Sequence, residues 1–121
     1  MTTQEVASKL VKLCSEGKFD EATDSLYSAD IVSMEASAPP GGSRESKGIA
    51  AVKAKGDWWV ANHDVHSVKV EGPIVAGDHF AVTFKLDITF KPKAKRFTME
   101  EVAIYKVDNG KIVYEEFFYK M

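Results

Sequence analysis

Carboxylate side chains occupy strand positions near the C-terminus where alternation would otherwise place apolar residues. Glu101 lies in the first of two predicted strands, and Glu115 and Glu116 lie in the second. The segment Asp108-Asn109-Gly110 joins these strands, and Asn-Gly is a strong hairpin signal because both central residues of the tight turn need positive φ. The sequence therefore predicts a hairpin that brings Glu101 near a second carboxylate.

The hairpin has two possible registers, which place different carboxylates on the face of Glu101. A two-residue loop at Asn109-Gly110 selects Glu116, whereas a three-residue loop ending in a bulge at Gly110 selects Glu115. We favour the bulged loop, since it gathers apolar and aromatic side chains around Glu101 and Glu115. These side chains are Met99, Ala103, Tyr105, Val107, Val113, Phe117 and Tyr119. A few polar groups in such a surround are typical of a ligand pocket, in which Tyr105 and Phe117 would contact the ligand.

Two carboxyl groups in an apolar surround suit proton transfer. Because like charges cannot both form cheaply there, one carboxyl keeps its proton near neutral pH and acts as an acid while the other acts as a base. We therefore expect Glu101 to have a raised pKa, through desolvation first and like-charge repulsion second. The alternative is that Glu101 or Glu115 points to solvent, or pairs with Lys106 or Lys111 at a strand edge.

A predicted helix carries further candidate ligand-binding residues. Lys55 lies on its apolar stripe, one turn before Trp59. The simplest interpretation of Lys55 is an ammonium that extends to water, but if it turns inward, Glu35 is its natural partner. Trp59 faces inward, where it either packs in the core or stacks on a flat ligand, whereas Trp58 lies on the helix shoulder.

Two residues on predicted strands have competing interpretations. His66, on the face of Val68 and Val70, could shuttle a proton beside Asp87 or Glu101, or could be a satisfied core histidine. Asp87 faces away from the apolar stripe of its strand, so it is either a pocket carboxylate or an interface residue near Arg96. We predict no metal site, because the helix ends between His63 and His66.

The elements that position these residues are helices first and strands later. The helices are predicted at 2–16, capped by Thr2 and Glu5, at 19–27 and at 48–62, capped by Ser46. A short strand at 31–36 and a Gly/Pro-rich loop at 37–47 precede the third helix. Strands follow at 65–71, 78–90, 97–107 and 111–119, with a turn at Gly72-Pro73. This order predicts an α+β fold with helices on one face of a curved antiparallel sheet.

Composition limits the class of protein. The chain has 121 residues and a net charge of −2, so we expect a single domain over 1–121 without a nucleic-acid partner. It contains no apolar run of membrane-spanning length, and we expect a cytoplasmic protein with no membrane partner. Cys14, the only cysteine, recurs with apolar residues at helical spacing, which indicates a buried side chain rather than a reactive thiol.

The order of elements resembles a known group of proteins. Together with the helix opening Gly48-Ile49-Ala50-Ala51-Val52 and the strand opening Gly110-Lys111-Ile112-Val113, it resembles the nuclear transport factor 2-like superfamily, and the SnoaL-like branch most closely. The resemblance implies a cone-shaped, cystatin-like fold with a pocket, and frequently a homodimer formed through the outer sheet face. Members include polyketide cyclases, isomerases, dehydratases and non-catalytic domains, and the enzymes typically use a pocket Asp or Glu.

These observations lead to two hypotheses. The first is a cofactor-independent isomerase, cyclase or lyase that uses Glu101 and a neighbour for proton transfer on a small, apolar, carbonyl-bearing compound. The second is a non-catalytic ligand-binding or dimerisation module. No nucleophile elbow, dinucleotide fingerprint or metal motif is present in the sequence, so we expect no cofactor.

Overall fold

The computed structural model describes residues 1–38 and 41–120, and three α-helices, one short 3-10 helix (Lys91–Lys93) and six strands lie within these ranges. The helices are α1 (Thr3–Ser15), α2 (Phe19–Leu26) and α3 (Ile49–Asn62). The strands are β1 (Tyr27–Met34), β2 (Glu45–Lys47), β3 (His63–Ala76), β4 (His79–Phe90), β5 (Lys95–Asp108) and β6 (Lys111–Phe118). The fold is α+β, as predicted. No helix in the described residues is long and apolar enough to cross a membrane.

The six strands form one sheet in the order β2-β1-β6-β5-β4-β3. Strands β3 to β6 form the predicted antiparallel meander. The prediction of a wholly antiparallel sheet is wrong, because β1 pairs parallel with β6. Strand β1, which follows α2, lies beside β6 on the side away from β5. No short turn joins β1 to β6, so β1 is free to run in either direction along it.

The N-terminal elements agree closely with the sequence pattern. Helix α1 begins at the predicted capping box, in which Thr2 accepts from the backbone of Glu5 and Glu5 accepts from the backbone of Thr2. Its apolar face, which includes the buried Cys14, packs on β3 and β4. The Ser46 cap is wrong, since the N-cap of α3 is Gly48 with φ of 86° and no side-chain hydrogen bond.

Three parts of the chain differ from the prediction by more than two residues. The first strand starts at Tyr27, immediately after α2. The predicted loop 37–47 contains β2, which pairs with β1, while its residues Pro39 and Pro40 lie outside the described residues. Gly72-Pro73 does not end a strand, because β3 continues through it with a shift of register to β4.

Burial along β5 shows where the concave face of the sheet opens. On this face Ala103, Tyr105 and Val107 are buried in the hydrophobic core, whereas Phe97, Met99 and Glu101 are only partly buried. Helix α3 packs mainly on β1 and β2 and also contacts β3. Glu101 therefore lies where the inward side chains of β5 change from buried to partly buried, opposite the buried Phe84 of β4.

Candidate functional site

The hairpin between β5 and β6 determines which glutamate faces inward. Asn109 and Gly110 have φ of 50° and 74°, and Asp108 pairs with Lys111, so the loop has two residues. The predicted three-residue loop with a bulge at Gly110 is therefore wrong. An irregularity lies instead at Val113, because Val107 pairs with Ile112 and Lys106 with Tyr114.

The bulge at Val113 has the same effect on the alternation as the predicted bulge at Gly110. It inserts one residue into β6, so Glu115 rather than Glu116 faces inward. Glu115 lies directly opposite Tyr105 on β5 and beside Ser33 on β1. All three side chains are buried, and Glu115 is only 3% exposed.

Glu115 is held by hydroxyl groups from β1. The hydroxyl of Tyr27 donates to Glu115 Oε2 over 2.8 Å. Burial raises the pKa of Glu115 to about 7, while Lys55 and the hydrogen bonds from Tyr27 and Ser33 act in the opposite direction. Glu115 is thus a buried carboxyl whose position is determined by its donors.

Lys55 turns inward from α3, so the interpretation in which its ammonium extends to water is wrong. Its Nζ lies 2.9 Å from Glu35 Oε1 and donates to Ser33 Oγ over 2.5 Å. The ammonium also lies 5.4 Å from the centre of the Phe117 ring. The hydroxyl of Tyr119 donates to Glu35 Oε2 over 2.9 Å, and so Lys55 and Tyr119 together occupy both oxygens of Glu35.

Glu101 differs from Glu115 because only burial and charge, and no hydrogen bond, contribute to its raised pKa. The pKa of Glu101 is raised to about 7, by burial first and by the charges of Glu35 and then Glu115, while Lys55 acts in the opposite direction. This direction and its main cause agree with the expectation from sequence. The sequence did not indicate that Glu35 is the stronger of the two negative neighbours.

The structure brings together six of the nine residues singled out in the sequence as candidates for the site. They are Glu35, Lys55, Glu101, Tyr105, Glu115 and Phe117. Tyr105 stacks on Phe80 with ring centres 4.7 Å apart and meets Phe117 edge-on at 6.5 Å. Burial also raises the pKa of the Tyr105 hydroxyl, which therefore keeps its proton at neutral pH.

His66 and Asp87 lie outside this cluster. His66 is a bulged residue, since Val65 pairs with Ile88 and Ser67 with Asp87, and the bulge turns His66 away from the face of Val68. Its Nε2 lies 2.7 Å from Thr89 Oγ1 and its side chain is exposed. The prediction that His66 shares a face with Val68 and Val70 is therefore wrong.

Asp87 lies on the outer face of the sheet. Arg96 donates to it from Nε over 3.0 Å and from Nη2 over 2.8 Å, and this pairing lowers the pKa of Asp87. Of the two interpretations of Asp87, the structure supports the position near Arg96 on the outer face. Neither His66 nor Asp87 can exchange protons directly with Glu101 in this arrangement.

Trp59 packs at the C-terminal end of α3. Its ring stacks on His63 with centres 4.4 Å apart, and His63 in turn lies 5.2 Å from Phe90. The ring Nδ1 of His63 lies 2.8 Å from the carbonyl of Trp59, which is one of the carbonyls left without a partner by the end of the helix. These contacts explain Trp59 and His63 by packing and capping. No group of three or more potential metal ligands lies within the described residues.

Sequence analysis missed two members of the cluster, Tyr27 and Ser33. The sequence pattern predicts Tyr27 as the last residue of α2, whereas Tyr27 is the first residue of β1 and faces inward with the strand. Ser33 lies between Ile31 and Glu35 at strand spacing, and its face was therefore available from the pattern. Tyr119 was predicted on the correct face but without a partner.

Comparison with known proteins places the chain in a family. The model of the SnoaL-like domain matches residues 1–119. A crystal structure from Mesorhizobium loti, described as a candidate SnoaL-like polyketide cyclase, is 43% identical, with 98% of this chain and all of that chain covered and a TM-score of 0.93. No curated protein matches the sequence.

More distant structures share the fold. A candidate isomerase from Bacillus subtilis is 16% identical with a TM-score of 0.82, covering 99% of this chain and 90% of that chain. A nuclear transport factor 2-like protein from Burkholderia thailandensis is 19% identical with a TM-score of 0.83, covering 99% and 92%. The chain belongs to the SnoaL-like domain family.

Proposed function

We propose that this protein is a cofactor-independent isomerase, cyclase or lyase that moves protons on a small, apolar carbonyl compound through Glu101. The observation that carries this proposal is the position of the Glu101 carboxyl, which is partly buried on the inward face of β5 near Glu35 and Glu115, an arrangement that raises its pKa to about 7. A carboxyl with this pKa gives and takes protons at similar cost near neutral pH, as general acid–base catalysis requires.

The surrounding residues support Glu101 in distinct ways. Glu35 and Glu115 supply the negative charge that opposes its ionisation. Lys55 is paired with Glu35 and so is a fixed charge of the site. The rings of Tyr105 and Phe117 lie on the same face and limit access of water, which keeps the carboxyl in a surround of low polarity.

The relatives support the class of reaction. The 43% identical protein is described as a candidate polyketide cyclase, and cyclisation of a polyketide requires removal of a proton next to a carbonyl. In our proposal Glu101 takes this proton as a carboxylate and returns it as an acid, so that the enzyme ends in its starting state. We propose Glu115 as the second acid–base group, held in place by Tyr27.

The proposal is tested by proton exchange. Wild-type protein is incubated with 2-tetralone in D2O, and loss of the α-proton signals is followed by NMR. We expect Glu101→Gln to lower the protein-catalysed rate by roughly 100-fold or more, which is the usual contribution of a general acid–base group. Glu100→Gln is the matched control, because Glu100 is the adjacent residue, carries the same charge and is exposed on the outer face. An unchanged rate in Glu101→Gln would contradict the role of Glu101.

A non-catalytic ligand-binding or dimerisation module is the second candidate function. It is favoured by the mutual pairing of Lys55, Glu35 and Tyr119, which leaves fewer groups free to act on a ligand. Native mass spectrometry that finds a co-purified small molecule, together with no catalysed exchange, would favour this function. We also propose a homodimer that forms through the outer face of the sheet.

A further inference from the structure

We propose that the ligand of this site is uncharged, and that the arrangement of Glu35, Lys55, Glu101 and Glu115 excludes compounds carrying a carboxylate or phosphate. This inference rests on the proposed function, because it concerns the substrate of the same site. It narrows the substrate from carbonyl compounds in general to neutral ones.

The single ammonium of the cluster is already committed. Lys55 Nζ contacts Glu35 at 2.9 Å and Ser33 at 2.5 Å, and its remaining side faces the Phe117 ring. Glu35 in turn receives the hydroxyl of Tyr119. A ligand anion would have to displace Glu35 from Lys55, and the displaced carboxylate would lose a partner in a partly buried position.

The charges of Lys55 and Glu35 cancel, which leaves the carboxyl groups of Glu101 and Glu115 without a cation of their own in the cluster. Glu115 is buried beside Lys55 and Glu101 lies beside Glu35, so whenever either one is ionised the cluster carries a net negative charge. Arg44 is the other cation in contact with Glu35, but it is exposed and its Nε is used by the backbone carbonyl of Glu35. An anionic ligand at Glu101 would therefore face this negative charge, while the buried-side cation Lys55 is already paired with Glu35.

An uncharged ligand that accepts a hydrogen bond fits this cluster better than a ligand that carries an ammonium group. In its protonated form Glu101 has one O–H to donate, and a carbonyl oxygen accepts such a hydrogen bond without a change of charge. The negative charge of the ionised cluster attracts an ammonium group, but the Lys55 ammonium repels it. The partly buried side chains on the same face, which are Phe97, Met99 and Phe117, offer it apolar surface in place of hydration. The binding of an amine remains as an outcome of the test.

The test compares three probes of similar shape at pH 7. They are methyl 4-acetylbenzoate, the 4-acetylbenzoate anion and 4-acetylbenzylamine, each titrated into labelled protein while the NMR signals of Met99 and Phe117 are followed. We expect the ester to bind at least tenfold more tightly than the carboxylate and than the amine. Equal or tighter binding of either charged probe would overturn the inference, and so would failure of the ester to perturb these signals.

Variants show whether the carboxyl groups cause the discrimination. Glu101→Gln removes one ionisable group and keeps the shape, so the ratio of ester to carboxylate affinity should fall by about tenfold. Glu100→Gln makes the same charge change on the outer face and should leave the ratio unchanged. If both variants gave the same ratio as the wild-type protein, the discrimination would not come from the cluster and the inference would be wrong.

The same experiments separate this inference from the proposed function. Selective binding of the ester without catalysed exchange of 2-tetralone protons would contradict the enzyme and leave the charge selectivity intact. Catalysed exchange that depends on Glu101, combined with equal binding of the ester and the carboxylate, would contradict the selectivity and leave the enzyme intact.

Discussion

Three glutamates share one small region, and each has a different means of compensating its charge. Glu35 is paired with the Lys55 ammonium and receives the Tyr119 hydroxyl. Glu115 is almost completely buried and receives the Tyr27 hydroxyl. The shift of Glu101 is due to burial and charge alone, and this difference makes Glu101 the carboxyl most responsive to a ligand.

The pKa of Glu101 predicts how its replacement changes stability with pH. The folded value is about 7 and the reference value is 4.5, so the folded state binds the proton more tightly and stability falls as pH rises between these values. Glu35, Glu115 and Lys55 are the charged groups that set this value. At pH 7.5 the free energy of unfolding of Glu101→Gln should therefore be at least that of the wild type and up to about 1 kcal/mol higher. At pH 4 this advantage should disappear, because Glu101 is protonated in the folded wild-type protein.

Urea unfolding of the two proteins at both pH values measures this effect, with Glu100→Gln as the control that shows no pH-dependent gain. Titration of the Glu101 carboxyl carbon by NMR gives the pKa directly. A value near 4.5 together with a destabilised Gln variant would mean that Glu101 is solvated or ion-paired.

Tyr27 offers a second residue-level prediction. Tyr27→Phe removes the hydroxyl that donates to Glu115, so the ionised form loses a partner and the pKa of Glu115 should rise further. The loss of stability should be about 1 to 2 kcal/mol above pH 7 and smaller at pH 5, where Glu115 is protonated in the folded state. The matched control is Tyr114→Phe, because Tyr114 donates to the less buried Glu116 over 2.7 Å. Equal losses in both variants would contradict a special role for the buried pair.

At the scale of elements, helix α3 and the hairpin show what the sequence could predict. The stripe on α3 correctly separated Trp59 from Trp58, which is 54% exposed. It could not predict the direction of Lys55, because its partners are Ser33 on β1 and Glu35 directly after β1, and the bounds of this strand were predicted incorrectly. The sequence therefore indicated Glu35 as the natural partner of Lys55, but it did not show that α3 lies close enough to β1 for the two side chains to meet.

Bulges explain the other differences. A bulge changes the face of every later residue, yet it depends on pairing between strands and has a weak local signal. The bulge at Val113 adds one residue to β6, as the predicted bulge at Gly110 would have done. Glu115 therefore faces inward as predicted, although the predicted turn was wrong. At His66 a bulge reversed the predicted face, so the proposed proton shuttle lies on the outer side of the sheet.

Helix α3 also makes a prediction about its own packing. Trp59→Ala removes the ring that stacks on His63, and we expect a loss of about 2 to 3 kcal/mol, below the cost of a fully buried aromatic because Trp59 is half-buried. Trp58→Ala should cost less than about 1 kcal/mol, since Trp58 meets His63 only edge-on at 6.2 Å. Denaturant unfolding of both variants measures the difference. A larger loss for Trp58→Ala would show that the inward face of the helix has been assigned incorrectly.

At the scale of the whole molecule, the helices and the sheet leave two unlike surfaces. The concave side of the sheet holds the core and the glutamate cluster. The outer side carries exposed apolar side chains on neighbouring strands, because Val102 lies opposite Phe118 on β6 and opposite Thr83 on β4. Phe118 is 49% exposed and Val102 is 40% exposed. Water contacts this apolar surface in the isolated chain.

The outer face leads to a prediction about assembly. Ile74, which is 74% exposed, lies opposite Ala81, and Ala81 also lies opposite Ile104, so a second apolar row runs parallel to that of Val102 and Phe118. Burial of both rows against a second copy would remove them from water, and Lys85 with its neighbours Glu71 and Glu100 would form a charged rim.

We expect a homodimer at micromolar concentration in sedimentation velocity, and a monomer for Phe118→Glu, because two like charges would meet in an apolar contact. Val60→Glu is the matched control, since Val60 is 55% exposed but lies on α3, away from the outer face of the sheet. The control should sediment as the wild-type protein does. A wild-type monomer at this concentration would contradict the dimer, and a dimer that persists in Phe118→Glu would show that another surface forms the contact.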